Sequence, residues 1–460
     1  NVLKAEQGGS DNLAHALTIG NTMVFGQAVV NSIRVAYNRS TVHRTLTPYF
    51  GPSDLGIKLH PYLQGQMAIE VEGGFDVGAS LARWGNNFYQ ASDDFTLVRG
   101  RHQLGIGGNV AYANGHYVSS SRAAGTWLFD GRASGLGLAD LLLGRVTSVE
   151  HGAVQDLPVH SWYFGFYAQD TWRATNRVTF NLGVRWEPFF GTSLDNGAVS
   201  IFKLDNFRSG IKSKVFVNAP AGLIYPGDDG FPPGQTGLDR QWENVSPRVS
   251  VAWDVTGDGR MALRASYALA YDFMSNDYHQ LNSSAPPFGN RSLIVDPPGR
   301  MDDPYGHVGG DPHPIVTNRD TEYVPFGAFG TMNPDINSPR AQTWNVTLER
   351  QVGDDWGVAV SYLGTYSDRL WAQNAINPGI YMGLGPCVLD GVSYRVCSTN
   401  GNLNVRRKLY QENPAEAQFI GAMDLHDDIG RQVYRGLKLS AQRRSVGGLS
   451  LNASYTWSRC

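Results

Sequence analysis

Histidines and carboxylates in loop-like stretches are the residues of this sequence most suited to chemistry. His307 and His313 flank Asp311, and transition metals accept imidazole and carboxylate as ligands. Isolated loop histidines are more often only solvated, so we predict no metal ligand here. Aspartate pairs offer hard oxygens to Ca²⁺, but none has EF-hand spacing and turn chemistry explains them equally well; they are Asp228-Asp229, Asp302-Asp303, and Asp424 with Asp427-Asp428.

Catalytic motifs are missing from the sequence. It contains no G-x-S-x-G elbow, no H-E-x-x-H and no P-loop. Gly105-Ile106-Gly107-Gly108 is faintly similar to a dinucleotide-binding loop. It lies in an alternating, strand-like stretch, however, where small residues relieve crowding. We therefore predict neither an enzyme activity nor a cofactor.

Composition narrows the class of protein. The chain has 460 residues, of which 17% are charged, against about 25% in typical soluble domains. Aromatic residues reach 11% and glycine 54 residues, which favours a sheet with little surface of the soluble type. The net charge of −3 disfavours a nucleic-acid partner, and three cysteines exclude a disulfide-rich scaffold. No apolar run approaches the length of about 18 residues that a membrane-spanning helix needs.

A two-residue alternation predicts β-strands with two unlike faces. It is clearest at 177–187, where the apolar positions are Val178, Phe180, Leu182, Val184 and Trp186. The same alternation recurs at 261–271, 343–349, 356–362 and 449–458. The stretch from Leu138 to Gly144 is expected to form one or two helical turns whose apolar face packs on the base of a loop.

The strands come in pairs that are joined by short turns. The six turns lie near 26–30, 99–102, 173–176, 257–259, 353–355 and 445–448. About twelve strands of the ~9–11 residues that cross a bilayer are therefore expected. Long connections at Pro188 to Val245, Met274 to Arg340 and Ser367 to Arg431 separate pairs. Short turns on one side and long loops on the other predict an all-β, antiparallel transmembrane β-barrel; the alternative is a large soluble all-β protein.

One predicted hairpin carries a resemblance to a known family. Residues 162–173 (WYFGFYAQDTWR) and 177–188 (RVTFNLGVRWEP) resemble the "YGxYxQDxWR…RxTxNLGxRYE" hairpin of TonB-dependent outer-membrane receptors. The Oar-like branch, which has a carboxypeptidase-regulatory-like domain, is the most similar. Further similar stretches follow in order at 246–254, 264–267, 342–351 and 436–458. The resemblance thus runs from about Val29 to Cys460.

The resemblance implies that residues 1–460 are part of the barrel of a longer receptor in the outer membrane. Family barrels have twenty-two strands, so a dozen strands would form about half a barrel, an open, curled sheet with two free edges. We take both ends to be truncations, with the plug, the regulatory-like domain and the TonB box absent from this chain. The full-length protein would bind an unidentified solute and take it up with energy from TonB. Its partners would be membrane lipid, the TonB complex and that solute.

Two other functions stay open from the residues alone. A structural or adhesive surface protein would use the long loops to contact another cell or a matrix. A soluble carbohydrate-processing β-enzyme would need paired carboxylates that converge on one cleft. No spacing in this sequence indicates such a pair.

The barrel interpretation assigns side chains to faces. Tryptophans near strand ends would form an aromatic girdle at the lipid headgroups, namely Trp172, Trp186, Trp356 and Trp457. Polar residues opposite the apolar set would face the lumen, either as a hydrated lining that contacts plug and solute or simply as groups that face water and pair with one another. They are Arg185, Glu187, Arg264, Asp272, Glu349, Lys438 and Gln442.

Cys387 and Cys397 stand in one predicted external loop. Outer-membrane proteins fold through the oxidising periplasm, and similar loops of the family carry such a pair, so a disulfide is expected. The alternative is two free thiols. A metal pair is disfavoured because no further Cys or His lies close by in the sequence, and Cys460 is given no role.

Overall fold

Twelve long strands form one antiparallel sheet in the computed structural model, which describes residues 8–78, 81–272, 278–446 and 448–460. They are β1 (Gly8–Phe25), β2 (Val29–Leu46), β3 (Ala82–Arg99), β4 (His102–Ser119), β5 (Gln155–Arg173), β6 (Val178–Trp186), β7 (Val245–Asp254), β8 (Met261–Tyr271), β9 (Arg340–Val352), β10 (Trp356–Ala375), β11 (Ile420–Val446) and β12 (Leu449–Arg459). Each strand pairs with the next one in the chain. The all-β class and the dozen strands are confirmed.

The sheet is open, as expected. Among the described residues, β1 pairs only with β2, and β12 only with β11. Ser148–His151, between β4 and β5, pairs with Ser292–Val295, between β8 and β9. In a flat sheet these two segments would lie about 19 Å apart, because four strand spacings of about 4.8 Å separate them. The connections that carry the two segments are long enough to cover this distance, and the segments meet and pair.

The strand connections are unequal at the two ends of the sheet. Short turns at 26–28, 100–101, 174–177, 255–260, 353–355 and 447–448 join strands at the turn end and match the predicted turns, although residue 447 lies outside the described residues. Five loops occupy the loop end, namely L1 (47–81), L2 (120–154), L3 (187–244), L4 (272–339) and L5 (376–419). L3 and L4 were predicted, and the predicted start of L4, Met274, lies outside the described residues. L1 and L2 were not singled out as long.

Several strands are longer than predicted. β1 to β4 have 18 residues each and β11 has 27, against the expected ~9–11. The predicted connection from Ser367 to Arg431 was wrong, because β10 continues to Ala375 and β11 begins at Ile420, with register shifts near Leu370. Ladder hydrogen bonds satisfy the backbone whether or not side chains alternate, so polar residues beyond the apolar stretch join the strands.

The loops contain short elements of their own. The helices are α1 (Gly137–Leu143), α2 (Leu204–Arg208), α3 (His279–Ser284), α4 (Lys408–Glu412) and α5 (Pro414–Ala417). The short strands are Ala68–Val71, Asp76–Val77, Thr126–Phe129, Ser148–His151, Ser193–Leu194, Ile201–Phe202, Leu223–Ile224, Ser292–Val295, Gly327–Met332, Cys387–Leu389 and Val392–Tyr394. Among the described residues, no helix is both long and apolar enough to cross a membrane.

The hydrophobic core lies in loops L1 to L5, which we call the loop cap. Of the twelve largest fully buried side chains, all but Ile420 belong to these loops. A first cluster joins L3, L4 and L5 with the start of β11, and a second joins L1, L2 and L4. Burial of one large apolar side chain stabilises a fold by about 1.5–3 kcal/mol, so the loop cap is a folded unit.

The predicted short helix in L2 is confirmed as α1, but its predicted packing was wrong. Leu138, Leu142 and Leu143 are exposed, and Leu141 packs against the second cluster. The helix has two turns at most, and its C-terminal Gly144 adopts a left-handed conformation. Leu138 and Leu142 are four residues apart and share one face of the helix, and both are exposed, so most of the apolar face is left open.

Candidate functional site

The register of β1 to β12 sorts the side chains into an apolar face and a polar face. On the apolar face, Leu182 pairs with Val249, Val249 with Tyr267, and Tyr267 with Trp344. On the polar face, Thr179 pairs with Ala252, Ala252 with Arg264, and Arg264 with Thr347. All seven polar residues singled out in the sequence lie, by this alternation, on the polar face.

A half-buried network occupies the loop end of the polar face. Arg185 Nε lies 2.7 Å from Glu187 Oε1, and Arg185 Nη2 donates to Asn109 Oδ1 at 2.8 Å and to Tyr163 Oη at 2.7 Å. The Tyr163 hydroxyl in turn donates to Glu187. Sequence reasoning named Arg185 and Glu187 but missed Asn109 and Tyr163, which alternation alone would have placed on this face.

The other polar residues lie apart from this network. Arg264 and Glu349 form an exposed ion pair at 3.2 Å and line, with Gln442, an open depression of about 760 Å³ near the turn end. Lys438 is in the same cross-strand row as Arg264, since Thr347 and Ser361 lie between them. Asp272 follows β8 at the loop end, where its backbone N–H donates to the Pro339 carbonyl. The structure therefore brings two of the seven together and pairs two more.

Tryptophans occupy two levels of the apolar face. Trp172 and Trp356 lie beside the turns, and Trp172 stacks on Phe180 with ring centroids 5.7 Å apart. Trp186 and Trp457 are each the ninth residue of a strand that starts at the turn end. Eight steps along a tilted strand give a rise of about 20 Å. The two levels are thus separated by nearly the height of the apolar band of a membrane barrel.

An aromatic row that the sequence analysis missed lies on the apolar face nearer the loop end, since Trp186 pairs with Phe166 and Trp162 lies four residues beyond Phe166. Tyr37, Tyr89, Tyr112 and Trp162 are cross-strand neighbours on the apolar face of β2 to β5. Successive ring centroids lie 5.1, 6.4 and 4.7 Å apart. The signal was present in the alternation of each strand. It could be combined into a row only once the register was known.

The glycines of β4 make room for aromatic rings, as predicted. A Cβ on Gly107 would lie 2.7 Å from the Tyr167 ring on the polar face, and a Cβ on Gly108 would lie 2.5 Å from the Phe166 ring on the apolar face. Two neighbouring glycines therefore let rings lie across the strand on both of its faces.

The sequence model of a known family matches the whole chain. The model described as "Outer membrane beta barrel domain" matches residues 1–460. The chain belongs to the outer membrane beta barrel domain family. Its location is the outer membrane, as predicted from the sequence. No curated protein is significantly similar to this barrel chain.

Solved structures of outer-membrane transporters and receptors are similar to the barrel chain. The transporter YddB of Escherichia coli is 9% identical with a TM-score of 0.48, over 97% of this chain and 41% of YddB. The pyoverdine receptor FpvA of Pseudomonas aeruginosa PAO1 is 10% identical with a TM-score of 0.46, over 98% and 44%. The ferric yersiniabactin uptake receptor FyuA of Yersinia pestis is 8% identical with a TM-score of 0.41, over 98% and 43%. The barrel chain spans less than half the length of each.

Substitution of two neighbouring residues of β11 tests which face of the sheet contacts lipid. Leu439 lies on the apolar face beside Val360 and Tyr455, whereas Ser440 lies on the polar face beside Ala359 and Ser454. Leu439→Lys is expected to lower the free energy of unfolding in lipid vesicles by about 2–4 kcal/mol, because a charge would enter hydrocarbon. Ser440→Lys is the matched control, with an expected change within about 1 kcal/mol. Equal losses, measured by urea titration, would contradict this assignment of faces.

A cluster of histidines and tyrosines lies in the loop cap. His151 of L2 and His313 of L4 have ring centroids 4.3 Å apart. His151 Nε2 lies 2.8 Å from the His60 carbonyl and its Nδ1 lies 3.0 Å from Tyr305 Oη, while His313 Nδ1 lies 2.8 Å from Tyr62 Oη. Burial lowers the pKa of His151 to about 3 and that of His313 to about 4, so both imidazoles are neutral at neutral pH.

Asp311 completes the cluster. Its carboxylate accepts hydrogen bonds from the backbone N–H groups of His60 and His313, and burial raises its pKa. One ligand atom each of His151, Asp311 and His313 lies within 4.8 Å of the other two. His307, which flanks Asp311 in the sequence, is not part of the group. His151 was missed because it lies 160 residues before Asp311, where no local pattern points to it.

Several of the aspartates that the sequence analysis considered for Ca²⁺ form hydrogen bonds and ion pairs with loop residues. Asp228 accepts hydrogen bonds from Ser213 Oγ and from the backbone N–H groups of Lys214 and Tyr225. Asp303 pairs with Lys58 at 2.9 Å. Among the other aspartates considered for Ca²⁺, Asp229 pairs with Lys214, Asp427 accepts from Asn333 and Asp428 accepts from Asn337. Hydrogen bonds and ion pairs account for these five side chains, of which Asp427 and Asp428 lie in β11 and bind loop L4.

The two cysteines of L5 are bonded in the structure. Cys387 and Cys397 form a disulfide with their Cα atoms 5.2 Å apart. The bond closes a small hairpin made by Cys387–Leu389 and Val392–Tyr394. Cys460 is a free, exposed thiol. The disulfide thus fixes the tip of L5 rather than linking it to another loop.

Acid is expected to loosen the loop cap through His279 of α3. This side chain is fully buried, its Nε2 lies 2.6 Å from the Thr192 carbonyl, and its Nδ1 has no hydrogen-bond partner among the residues that the structure describes. Burial, with a smaller contribution from His426, lowers its pKa from 6.5 to about 4. The unfolded state then binds more protons between these values, so stability is complete above about pH 6.5 and falls by about 1.4 kcal/mol per unit toward pH 4.

His279→Gln keeps a donor for Thr192 and removes the titration. Between pH 6.5 and 5, the unfolding free energy should fall in both proteins. We expect the fall to be smaller in the variant than in the parent, with a difference of about 2 kcal/mol between the two. Denaturant titrations of both proteins at the two pH values, read by protease resistance of the loops, measure this difference. Identical pH slopes for the two proteins would show that His279 does not carry the effect.

Proposed function

We propose that this chain is barrel sequence from a TonB-dependent receptor of the Oar-like branch, which binds a solute and takes it up with energy relayed by TonB. The polar face carries the proposal. Arg185, Glu187, Asn109 and Tyr163 form a half-buried polar network on this face at its loop end. A barrel whose inner surface only had to fill space would be expected to carry apolar side chains there.

The faces suggest how the chain is placed in the membrane. The apolar face would contact lipid, with Trp172 and Trp356 in the girdle at the turn end and Trp186 and Trp457 in the girdle at the loop end. The seven polar residues would then face the lumen, where plug and solute pass. Loop L5, with its disulfide, would lie outside the cell. Residues 1–460 are proposed to be barrel throughout.

The loop cap suggests where solute is first bound. Its five loops are packed around buried apolar clusters, and ion pairs such as Arg208–Glu412 join L3 to L5. A surface that is already folded loses little conformational entropy when it binds a solute. Siderophores, saccharides, peptides and cobalamin all remain candidate solutes.

Energy-dependent uptake tests the proposal in cells that carry the full-length protein. A ferric siderophore, cobalamin, a maltodextrin and a peptide are supplied as labelled probes to these cells and to cells that lack the gene. Accumulation of one probe is expected, and a protonophore or the loss of TonB should abolish accumulation but spare surface binding. If no probe accumulates above the gene-deleted control and the deleted cells instead lose attachment to a matrix, the adhesive function replaces transport.

A further inference from the structure

We propose that His151, Asp311 and His313 form a binding site for a divalent first-row transition metal, with Zn²⁺ as its simplest occupant. One ligand atom from each lies within 4.8 Å of the other two. Two imidazoles and one carboxylate form a common protein donor set for such ions. The site would join L2 to L4.

Hydrogen bonds determine which nitrogen of His151 is available. Its Nε2 lies 2.8 Å from the His60 carbonyl, which can only accept, so Nε2 carries the proton. The lone pair is therefore on Nδ1, where it accepts a hydrogen bond from the Tyr305 hydroxyl at 3.0 Å, and a metal ion would have to replace this hydrogen bond. A backbone carbonyl that holds the second ring nitrogen is the usual way in which proteins orient a metal-binding histidine.

His313 supplies the observation that points most directly to a ligand. The residue is only 7% exposed, and its buried Nε2 has no hydrogen-bond partner within the described part of the chain. Its Nδ1 lies 2.8 Å from Tyr62 Oη, which fixes the ring. An unsatisfied buried nitrogen costs about 1–3 kcal/mol, and a metal ion at Nε2 would remove this cost.

Asp311 supplies the charge that two neutral imidazoles lack. Hydrogen bonds from the backbone N–H groups of His60 and His313 hold its carboxylate in place, and a carboxylate oxygen has further lone pairs for an ion. In a tetrahedral zinc site, ligand atoms lie about 3.4 Å apart. Since the ligand atoms lie within 4.8 Å of one another, closure of the widest pair by at most about 1.4 Å would bring them to this spacing.

Solvent reaches the site through an open cavity. This cavity has a volume of about 500 Å³, and His60, Gly309, Gly310, Asp311 and His313 are among the residues that line it. His151 lies behind it and is fully buried. The cavity provides an access path and room for a water molecule as the fourth ligand.

Zinc titration of the folded full chain, freed of metal with a chelator, tests the proposal. Zn²⁺ alone is added, affinity is measured by competition with a chromophoric chelator, and stoichiometry is measured by elemental analysis. One ion per chain is expected for the parent protein. His313→Gln and Asp311→Asn should each weaken binding by at least about tenfold. His307→Gln is the matched control from the same loop, with an expected change below about twofold.

The titration can overturn the proposed metal site in two ways. Fewer than one ion per chain in the parent protein would overturn the site. Equal weakening by His307→Gln and His313→Gln would also overturn it, since this would indicate adventitious binding to surface histidines. Protease resistance of the loop cap is measured for every variant. If His313→Gln alters it, Asp311→Asn, which leaves both rings in place, decides alone.

Discussion

Phe129→Ala is expected to loosen half of the loop cap and to leave the sheet intact. Phe129 is fully buried in the second cluster, among residues of L1, L2 and L4. Removal of a buried phenylalanine ring costs about 3–5 kcal/mol. Because the residues of the cluster lie in the loops and their short strands and not in β1 to β12, this cost should appear as local opening of L1, L2 and L4. Hydrogen exchange or limited proteolysis, read loop by loop, measures it.

Phe75→Ala is the matched control for this prediction. Phe75 lies in the same cap but is 45% exposed, so its loss should change stability by less than about 1 kcal/mol. The heat resistance of the sheet in detergent should be the same for both variants. If Phe129→Ala destabilised β1 to β12 as much as the loops, the cap and the sheet would be one cooperative unit.

Arg185→Met is expected to be the most harmful single change on the polar face. Glu187 is buried, with its side chain 12% exposed, and Arg185 and Tyr163 are its partners. Loss of one partner from a buried pair costs about 3–5 kcal/mol because the remaining charge is left uncompensated. Partial exposure of the Arg185 side chain places the expected loss at the lower end. Urea unfolding in vesicles measures it.

Arg264→Met provides the comparison on the same face. Arg264 and Glu349 are 60% and 44% exposed, so water screens their charges and the pair is worth at most about 1 kcal/mol. The two variants remove the same charge and introduce the same side chain. Similar losses from both would mean that burial of Glu187 does not set the cost.

The strands could be predicted because their signal is local. Alternation at 177–187 and glycine-containing turns such as 257–259 follow from backbone geometry over a few residues. The hairpin order, the turn positions and the open sheet were therefore correct. The predicted end of β10 and the predicted start of β11 were wrong. Polar residues at this end join the strands through ladder hydrogen bonds, although their side chains show no apolar–polar alternation. Which face contacts lipid stays a prediction that Leu439→Lys and Ser440→Lys test.

The loop cap could not be predicted because its contacts are distant in the sequence. Glu150 of L2 binds Arg291 of L4 at 2.6 Å, and the sequence gives no periodic signal for such a pair. The same holds for His151, which joins Asp311 and His313 only when L2 and L4 meet. Sequence reasoning found the two residues that are near neighbours in the chain and paired them with His307 instead.

L4 contributes to both halves of the cap, through Tyr305 in the second cluster and through Ala285, Tyr323 and Phe329 in the first. The tip of L5, in contrast, is a disulfide-closed hairpin with Tyr381, Leu384 and Val388 exposed around it. Evolutionary change should therefore be uneven across the outer surface. Insertions and deletions are expected to accumulate at the L5 tip, where they alter recognition at little structural cost, whereas the length of L4 should persist among descendants of this protein.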